Sequence, residues 1–532
     1  MRRVFTLPEG EDSTLLRLDR EISGSVLDFL KERIVAGDIV PHNLEQGFLD
    51  TAIPQEPTWV ADHVDYLLDN VVSQSVHTSS PRFVGHMTSA IPYFMVPLAK
   101  LVVALNQNVV KIETSKAFTP LERQTVGMLH RLVYEQDEAF YQRWTQDFAH
   151  SLGVFCSGGT LANVTALWVA RNRLLGPKPG FEGVAARGIV AAARAHGYDD
   201  LAVVVSRRGH YSLRKATDVL GLGRENLVTV DIGADHRIEL DALRRTLDDL
   251  RARRVGVVAV VGVAGATETG SVDPLVGMAE IARARGVHFH VDAAWGGPTL
   301  FSRRHRGLLA GIEQADSVTL DAHKQLYVPM GAGVCLFRDV EALDAVQLTA
   351  QYIIRKGSRD IGKHTLEGSR PGVCLLVHAG LRIIGRRGYE LLIDHGIELA
   401  ASFAGLVDAS EDFERVTAPE LNLLTYRYVP PKVRAALAVV DAERRVALNA
   451  VLSELTEAVQ KRQRRAGHSF VSRTRLEAAA HGGDVVTVLR VVLANPLTTV
   501  EILREILDEQ REHARVLLEA EGYGARLAAL LD

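Results

Sequence analysis

Cysteine is scarce in this 532-residue chain. Cys156, Cys335 and Cys374 are too few for a disulfide framework and lack metal-ligand spacing, which points to a reducing compartment. Long hydrophobic runs are missing too. The longest, Val255 to Ala266, falls short of the ~18 residues that a membrane helix needs. Charge of one sign is not in excess: 61 Lys and Arg against 65 Asp and Glu leave a formal −4. That balance removes the electrostatic reason to expect nucleic acid or an anionic membrane as partner. After the basic opening Met1-Arg2-Arg3, acidic Glu9, Glu11 and Asp12 stand where a secretory signal would carry its apolar core. No solenoid-period repeat and no low-complexity tract is visible. With 47% hydrophobic and 24% charged residues, wholesale disorder is excluded. The expectation is a cytoplasmic globular protein without metal.

Three zones differ in texture. Residues 1–104 mix helical patterns with proline-bearing loops (Pro54, Pro57, Pro81, Pro92, Pro97). Across 105–392, short β-rich runs alternate with amphipathic stretches. The runs are Leu152–Cys156, Gly188–Ala192, Leu201–Ser206, Val255–Gly262, Val287–Ala293, Ser317–Leu320 and Ala332–Phe337. Helical patterns lie between them, such as Glu122–Tyr134 and Leu240–Arg253, the latter with Leu240, Leu243, Leu247 and Leu250 on one face. Valine runs without alternation suit strands buried on both faces. The prediction is therefore an α/β domain with a mostly parallel sheet between helix layers. Residues 393–532 read as a smaller α+β domain, with strands at Leu421–Val429 and Val485–Leu493 and helices at Arg445–Gln460 and Val500–Leu518. The basic run Lys461-Arg462-Gln463-Arg464-Arg465 falls at a predicted helix end, and no aromatics interleave it. It reads as dipole complementation, not a nucleic-acid patch.

Ligands gather at the carboxyl ends of strands in an open parallel sheet, so the polar residues at those exits carry the chemistry. Ser157-Gly158-Gly159-Thr160 leads from a strand into a helix, where backbone N–H groups and the helix dipole favour a phosphate. The same residues also make an ordinary turn and cap. His210, in Gly209-His210-Tyr211-Ser212, offers an imidazole to stack on a planar ring, or is a plain loop histidine. Asp292, in His290-Val291-Asp292-Ala293-Ala294, is a carboxylate able to keep a heterocyclic nitrogen protonated, or a helix cap. Lys324, in Asp321-Ala322-His323-Lys324, is an amine at the sheet edge. Partial desolvation there would free it as a nucleophile, though a surface lysine is the commoner fate. Phosphate anchor, ring-stacking group, pyridine acid and Schiff-base lysine are, in combination, the parts of a pyridoxal phosphate (PLP) site.

With these residues in place, the chain resembles the group II PLP-dependent decarboxylases, which include glutamate, aromatic amino acid and cysteine sulfinate decarboxylases. The likeness runs through Pro81-Arg82-Phe83, Ser157–Thr160, His210–Ser212, Gly265-Ala266-Thr267, Asp273-Pro274, His290–Ala294, Ser317–Lys324 and Asn495-Pro496. Asp321–Tyr327, Thr365–Pro371 and Glu420–Tyr428 are most similar to the bacterial aspartate 1-decarboxylases. The resemblance implies the PLP-dependent transferase fold type I, a homodimer with active sites at the subunit interface, and a small acidic amino acid as substrate. It implies Lys324 as the Schiff-base lysine, Asp292 at the pyridine nitrogen, and Ala294 and His210 on the two ring faces. Thr267 is implied beside the phenolic oxygen, and Gly159, Thr160 and His323 around the phosphate. Tyr352 lies 28 residues beyond Lys324 (352 − 324) and matches the loop tyrosine that protonates Cα. Arg490 matches the arginine that binds a substrate carboxylate.

Departures from the family fall at His86, where glutamate decarboxylases carry an amide, and at Asp321, where aromatic decarboxylases place an amide. His86 is a candidate for the substrate pocket; Asp321 receives no role, since a carboxylate beside a phosphate is unfavourable unless paired. Arg355, Lys356, Arg359 and Lys363 read as solvated loop charge, with attraction of a diacid as the sharper alternative. L-aspartate leads as substrate and L-glutamate follows. A transaminase is the enzymatic rival, and a catalytically inactive scaffold of the same fold is the rival of another class.

Overall fold

Valine-rich segments build the centre of the larger of two compact units. A computed structural model describes residues 14–31, 35–37, 41–348 and 357–532. Within Ile91–Ala404 and Thr417–Thr425, seven strands form one sheet. They are β1 (Gly153–Cys156), β2 (Asp200–Ser206), β3 (Leu227–Val230), β4 (Val255–Val263), β5 (Phe289–Asp292), β6 (Ser317–Asp321) and β7 (Gly333–Phe337), in the order β1-β7-β6-β5-β4-β2-β3. The pairs from β3 to β6 are parallel, while β7 runs antiparallel to both β6 and β1. This is the mostly parallel α/β sheet expected from the sequence. Burial on both faces accounts for the unbroken apolar runs. Val203, Val205, Val261 and Val263 pack with Leu167, Leu213 and Ala216 from flanking helices. At ~1.5–3 kcal/mol for each fully buried large aliphatic side chain, such a layer is a dominant favourable term.

One expected strand is a helix. Gly188–Ala192 belongs to the helix Ile189–His196, flanked by Gly188 at φ 76 and by Gly197 in the left-handed conformation. Its Ala-Ala-Ala run has the strongest helix propensity of any residue type and overrides the short Ile-Val pair. β3 was not expected, because the Leu-Val-Thr-Val run of Leu227–Val230 is an edge strand only four residues long.

The other unit comprises the described parts of Met1–Ala90, with Gly405–Val416 and Tyr426–Asp532. It contains β8 (Phe413–Arg415), β10 (Ser472–Ala478) and β11 (Asp484–Val492), in a sheet ordered β10-β11-β9-β8 with β9 at Leu423–Tyr428. Long helices Ala442–Ala466 and Val500–Ala520 accompany it, each capped by an acidic or hydroxyl side chain, Asp441 and Thr499. The basic run at 461–465 does fall in the last turns of the first helix, ahead of Gly467 at φ 71. No helix among the described residues is long and apolar enough to cross a membrane.

Candidate active site

Sheet register sets the site. Cys156 of β1 pairs with Gly333 of β7, which pairs in turn with Asp321 of β6. Two residues back along β6, Thr319 pairs with Asp292 of β5, and Asp292 with Val263 of β4. The carboxyl ends of β1, β6, β5, β4 and β2 therefore share one edge of the sheet. From that edge the chain departs into Ser157–Thr160, Ala322–Lys324, Ala293-Ala294, Ala264–Thr267 and His210.

The cradle is closed to side chains. Gly159 opens the helix Gly159–Leu174, followed by Thr160, and its N–H donates to Asp321 Oδ2 at 3.2 Å. A Cβ on Gly159 would lie 3.0 Å from that oxygen and 3.3 Å from the Ala294 methyl, and one on Gly333 would meet the Gly158 backbone at 2.5 Å. The neighbouring Ser157 N–H donates to Glu367 Oε2 at 3.1 Å. Glu367 sits in Thr365–Pro371, a segment anchored by the Arg370 guanidinium on Glu122 and by Asn108 Nδ2 donating to Ser369 Oγ at 3.1 Å.

Asp321, which the sequence left without a role, is 3% exposed and is paired. Besides the Gly159 N–H it faces His323 Nδ1 at 2.8 Å and Lys324 Nζ at 3.6 Å. The Gly159 N–H and the Lys324 ammonium thus both face this carboxylate, which answers the departure noted above. Beyond Lys324 the backbone turns through Tyr327, a buried non-glycine residue at φ 57. Such strain persists only where the surroundings over-determine it. Here Tyr389 Oη donates to Leu326 O at 3.0 Å. A closed triangle holds the adjacent residue: Gln325 donates to Trp295 O, Trp295 Nε1 to Asn422 Oδ1, and Asn422 Nδ2 to Gln325 Oε1, at 2.8, 3.0 and 2.9 Å. Sequence reasoning missed this triangle, although Asn422 lies in the Glu420–Tyr428 stretch that resembles the aspartate enzymes.

Asp292 is buried, and its two oxygens accept from Ala294 N–H at 3.1 Å and from Asn163 Nδ2 at 2.8 Å. His210 caps the helix Tyr211–Val219, with Nδ1 2.8 Å from Ser212 Oγ. Burial pulls the His210 imidazole below its ordinary 6.5, against the opposing pull of Asp292. Lys324 and Lys215 pull it the same way as burial, and Asp321 the same way as Asp292. Thr267 follows β4 and is half-buried.

Arg490 and His86 lie in the smaller unit. Arg490, on β11, is 8% exposed; one terminal N–H donates to Gly85 O at 3.0 Å and its Nε to Ser472 Oγ at 3.0 Å. Gly85 immediately precedes exposed His86, so the two substrate-side candidates converge on one strand edge. Gly85 has to be glycine, since a Cβ would lie 2.4 Å from Ser472 N. Tyr352, Arg355 and Lys356 fall outside the described residues. Lys363 corrects the reading of solvated charge: it is 6% exposed and its ammonium donates to Phe148 O.

An anion cradle that excludes side chains, a lysine amine drawn toward a carboxylate, and a second buried carboxylate with donors on both oxygens match the donor chemistry that PLP requires. Comparison with known proteins agrees. A family model for the pyridoxal-dependent decarboxylase conserved domain matches residues 41–429. The aspartate 1-decarboxylase of Aliivibrio fischeri is 55% identical over 512 residues, 96% of this chain and 94% of that protein. The cysteine sulfinic acid decarboxylase of Mus musculus is 28% identical over 80% of each chain. The crystal structure of mouse CSAD superposes with a TM-score of 0.81 at 26% identity, covering 95% of this chain and 99% of that one. Oryza sativa TDC with PLP and tryptamine shares the fold, with a TM-score of 0.81 at 19% identity over 96% of this chain and all of that one. The chain belongs to the pyridoxal-dependent decarboxylase family and is an amino-acid decarboxylase whose cofactor is pyridoxal 5′-phosphate.

Proposed function

We propose that this chain removes the α-carboxylate of a small acidic amino acid, L-aspartate, giving β-alanine and CO2 for pantothenate and coenzyme A synthesis. The observation that carries the choice of substrate is the 55% identity with the Aliivibrio fischeri enzyme, sustained over 96% of the chain.

PLP, when bound, supplies a conjugated ring that takes up the electron pair left at Cα as CO2 departs. Lys324 would hold it covalently, with Gly159, Thr160 and His323 around its phosphate, Thr267 beside its phenolic oxygen, and Ala294 and His210 on its faces. Asp292 keeps a proton at the ring nitrogen. Arg490 binds a substrate carboxylate through a guanidinium oriented by Ser472 and the Gly85 carbonyl. His86, next along the chain, shapes the side-chain pocket. Tyr352 returns a proton to Cα, and its segment excludes water.

We further propose a cytoplasmic homodimer with active sites at the subunit interface, residues 1–104 contributing to dimerisation, 105–392 binding the cofactor and 393–532 forming the small domain. The apolar side chains Tyr93, Val96, Val103 and Leu105, exposed by 89, 49, 78 and 51%, support self-association. No nucleic acid or membrane partner is proposed.

Product analysis tests the reading. Purified protein with PLP is incubated with an equimolar amino-acid mixture and the amines are identified by mass spectrometry. Predominant β-alanine is expected. Predominant 4-aminobutyrate would move the substrate to L-glutamate. No amine product, together with no visible absorbance band that shifts on borohydride treatment, would leave an inactive scaffold.

A further inference from the structure

We propose that Asn163 is a positioning residue for the pyridine end of the cofactor. In this reading a one-way chain of hydrogen bonds from His288 through Ser317 and His290 ends on its amide, and the amide sets both Asp292 and His210. The inference rests on Asp292 as the partner of the ring nitrogen.

Asn163 lies in the second turn of the helix Gly159–Leu174 and is 1% exposed. Its Nδ2 lies 2.8 Å from Asp292 Oδ2 and 3.0 Å from Ser212 Oγ, and its Oδ1 lies 3.0 Å from His290 Nε2. A carboxylate only accepts, so the NH2 side of the amide must face Asp292 and the carbonyl must face His290. His290 Nε2 therefore carries a proton.

The rest of the chain then has one consistent direction. Burial lowers the His290 imidazole to about 4, so at neutral pH the ring holds a single proton, the one at Nε2. Its Nδ1 is left as an acceptor for Ser317 Oγ at 2.9 Å. The Ser317 carbonyl is also 3.2 Å from Nδ1, but with no proton there it receives none. Having given its only proton to His290, Ser317 Oγ accepts from His288 Nε2 at 2.8 Å. Burial likewise lowers His288 to about 4.

Four donors thus point the same way, each polarising the next, and none bears a formal charge. The Asn163 amide and the Ala294 N–H that donate to the Asp292 oxygens are neutral, which reserves the carboxylate for the ring nitrogen. The second Asn163 proton goes to Ser212 Oγ, and the Ser212 hydroxyl donates to His210 Nδ1. The Ser212 backbone N–H also donates to His210 Nδ1, at 3.3 Å, so the amide and the helix cap together set the His210 tautomer, with its proton on Nε2.

The test uses the full chain reconstituted with PLP, reading the cofactor absorbance spectrum, the PLP dissociation constant, kcat and KM separately, and the thermal midpoint without PLP. Asn163→Asp replaces the donors with an acceptor facing Asp292, and His290→Phe removes the chain. Both are expected to alter the spectrum, raise the PLP dissociation constant about tenfold or more, and cut kcat with KM changed less than about threefold. His290→Gln, whose amide returns an N–H near the Nε2 position, is expected to restore spectrum and affinity to within about threefold of the unaltered protein. Unaltered spectrum and affinity in His290→Phe, or equal damage from Gln and Phe, would overturn the inference. If Asn163→Asp does not fold, the His290 pair decides alone. Asp292→Asn is the control. If it leaves the spectrum and affinity intact, the assignment of Asp292 falls and takes this inference with it. If it disrupts them while His290→Phe does not, only the relay falls.

Discussion

Breaking the Glu122–Arg370 pair is expected to be costly out of proportion to the chemistry removed. The two side chains are 4% and 8% exposed, and the guanidinium donates to both carboxylate oxygens, at 2.6 and 3.1 Å. A partner removed from a buried ion pair leaves an uncompensated charge, which costs about 3–5 kcal/mol. Replacing both partners by apolar residues of similar volume is often neutral. Glu122→Leu and Arg370→Met should each lose about 3–5 kcal/mol, and the double variant should recover most of it. The coupling energy then exceeds about 2 kcal/mol. Because Arg370 anchors the segment that presents Glu367 to the Ser157 N–H, the single variants should also bind PLP more weakly. Urea unfolding followed by circular dichroism gives the stabilities, and PLP titration gives the affinity. Single variants that lose less than about 1 kcal/mol, or a double variant whose loss is the sum of the singles, would refute the reasoning.

Three further outcomes are expected. Lys324→Ala should abolish the borohydride-sensitive visible band while leaving the fold intact by circular dichroism; a persistent band would move the covalent lysine elsewhere. Tyr352→Phe should divert product from β-alanine toward decarboxylation-dependent transamination, and an unchanged β-alanine yield would discredit that tyrosine. In the smaller unit, burial opposes ionisation of Glu414, yet His481 and Arg427 hold its carboxyl at about 2, below the ordinary 4.5. A depressed carboxyl contributes stability that is complete above pH 4.5 and lost as pH falls toward 2, at most about 3 kcal/mol. Glu414→Gln should flatten the stability–pH curve in that window, and an unaltered acid slope would contradict the assignment.

Residues that carry their signal locally were legible in the sequence. Val255–Val263 announces a buried strand by composition, and the strand exits at Ser157, His210, Asp292 and Lys324 stand out because polar residues follow apolar runs. Gly188–Ala192 misled because two β-branched residues precede three alanines, and only the surrounding glycines with positive φ disclose the helix. β10 stayed hidden because Arg473, Arg475 and Glu477 alternate with its buried Leu476 and Ala478, which looks like a charged surface until β11 pairs with it. Asn163, Ser317, Gln325 and Asn422 were illegible for a different reason. A buried amide or hydroxyl is unremarkable in isolation, and its meaning depends on partners 27 to 129 residues away in the chain.

β7 has a mechanical consequence. Running between β1 and β6 against both, it ties the glycine cradle and the lysine segment to a single hairpin, and Gly333 touches the Gly158 backbone too closely to admit even a methyl group. The spacing between Lys324 and the glycine turn at Gly158-Gly159 is thus length-locked. Insertions or deletions from residue 321 to residue 333 would throw both out of alignment together. Remodelling of substrate preference, whether by natural drift or by laboratory evolution, has to enter through other segments and leave this hinge-free clasp untouched.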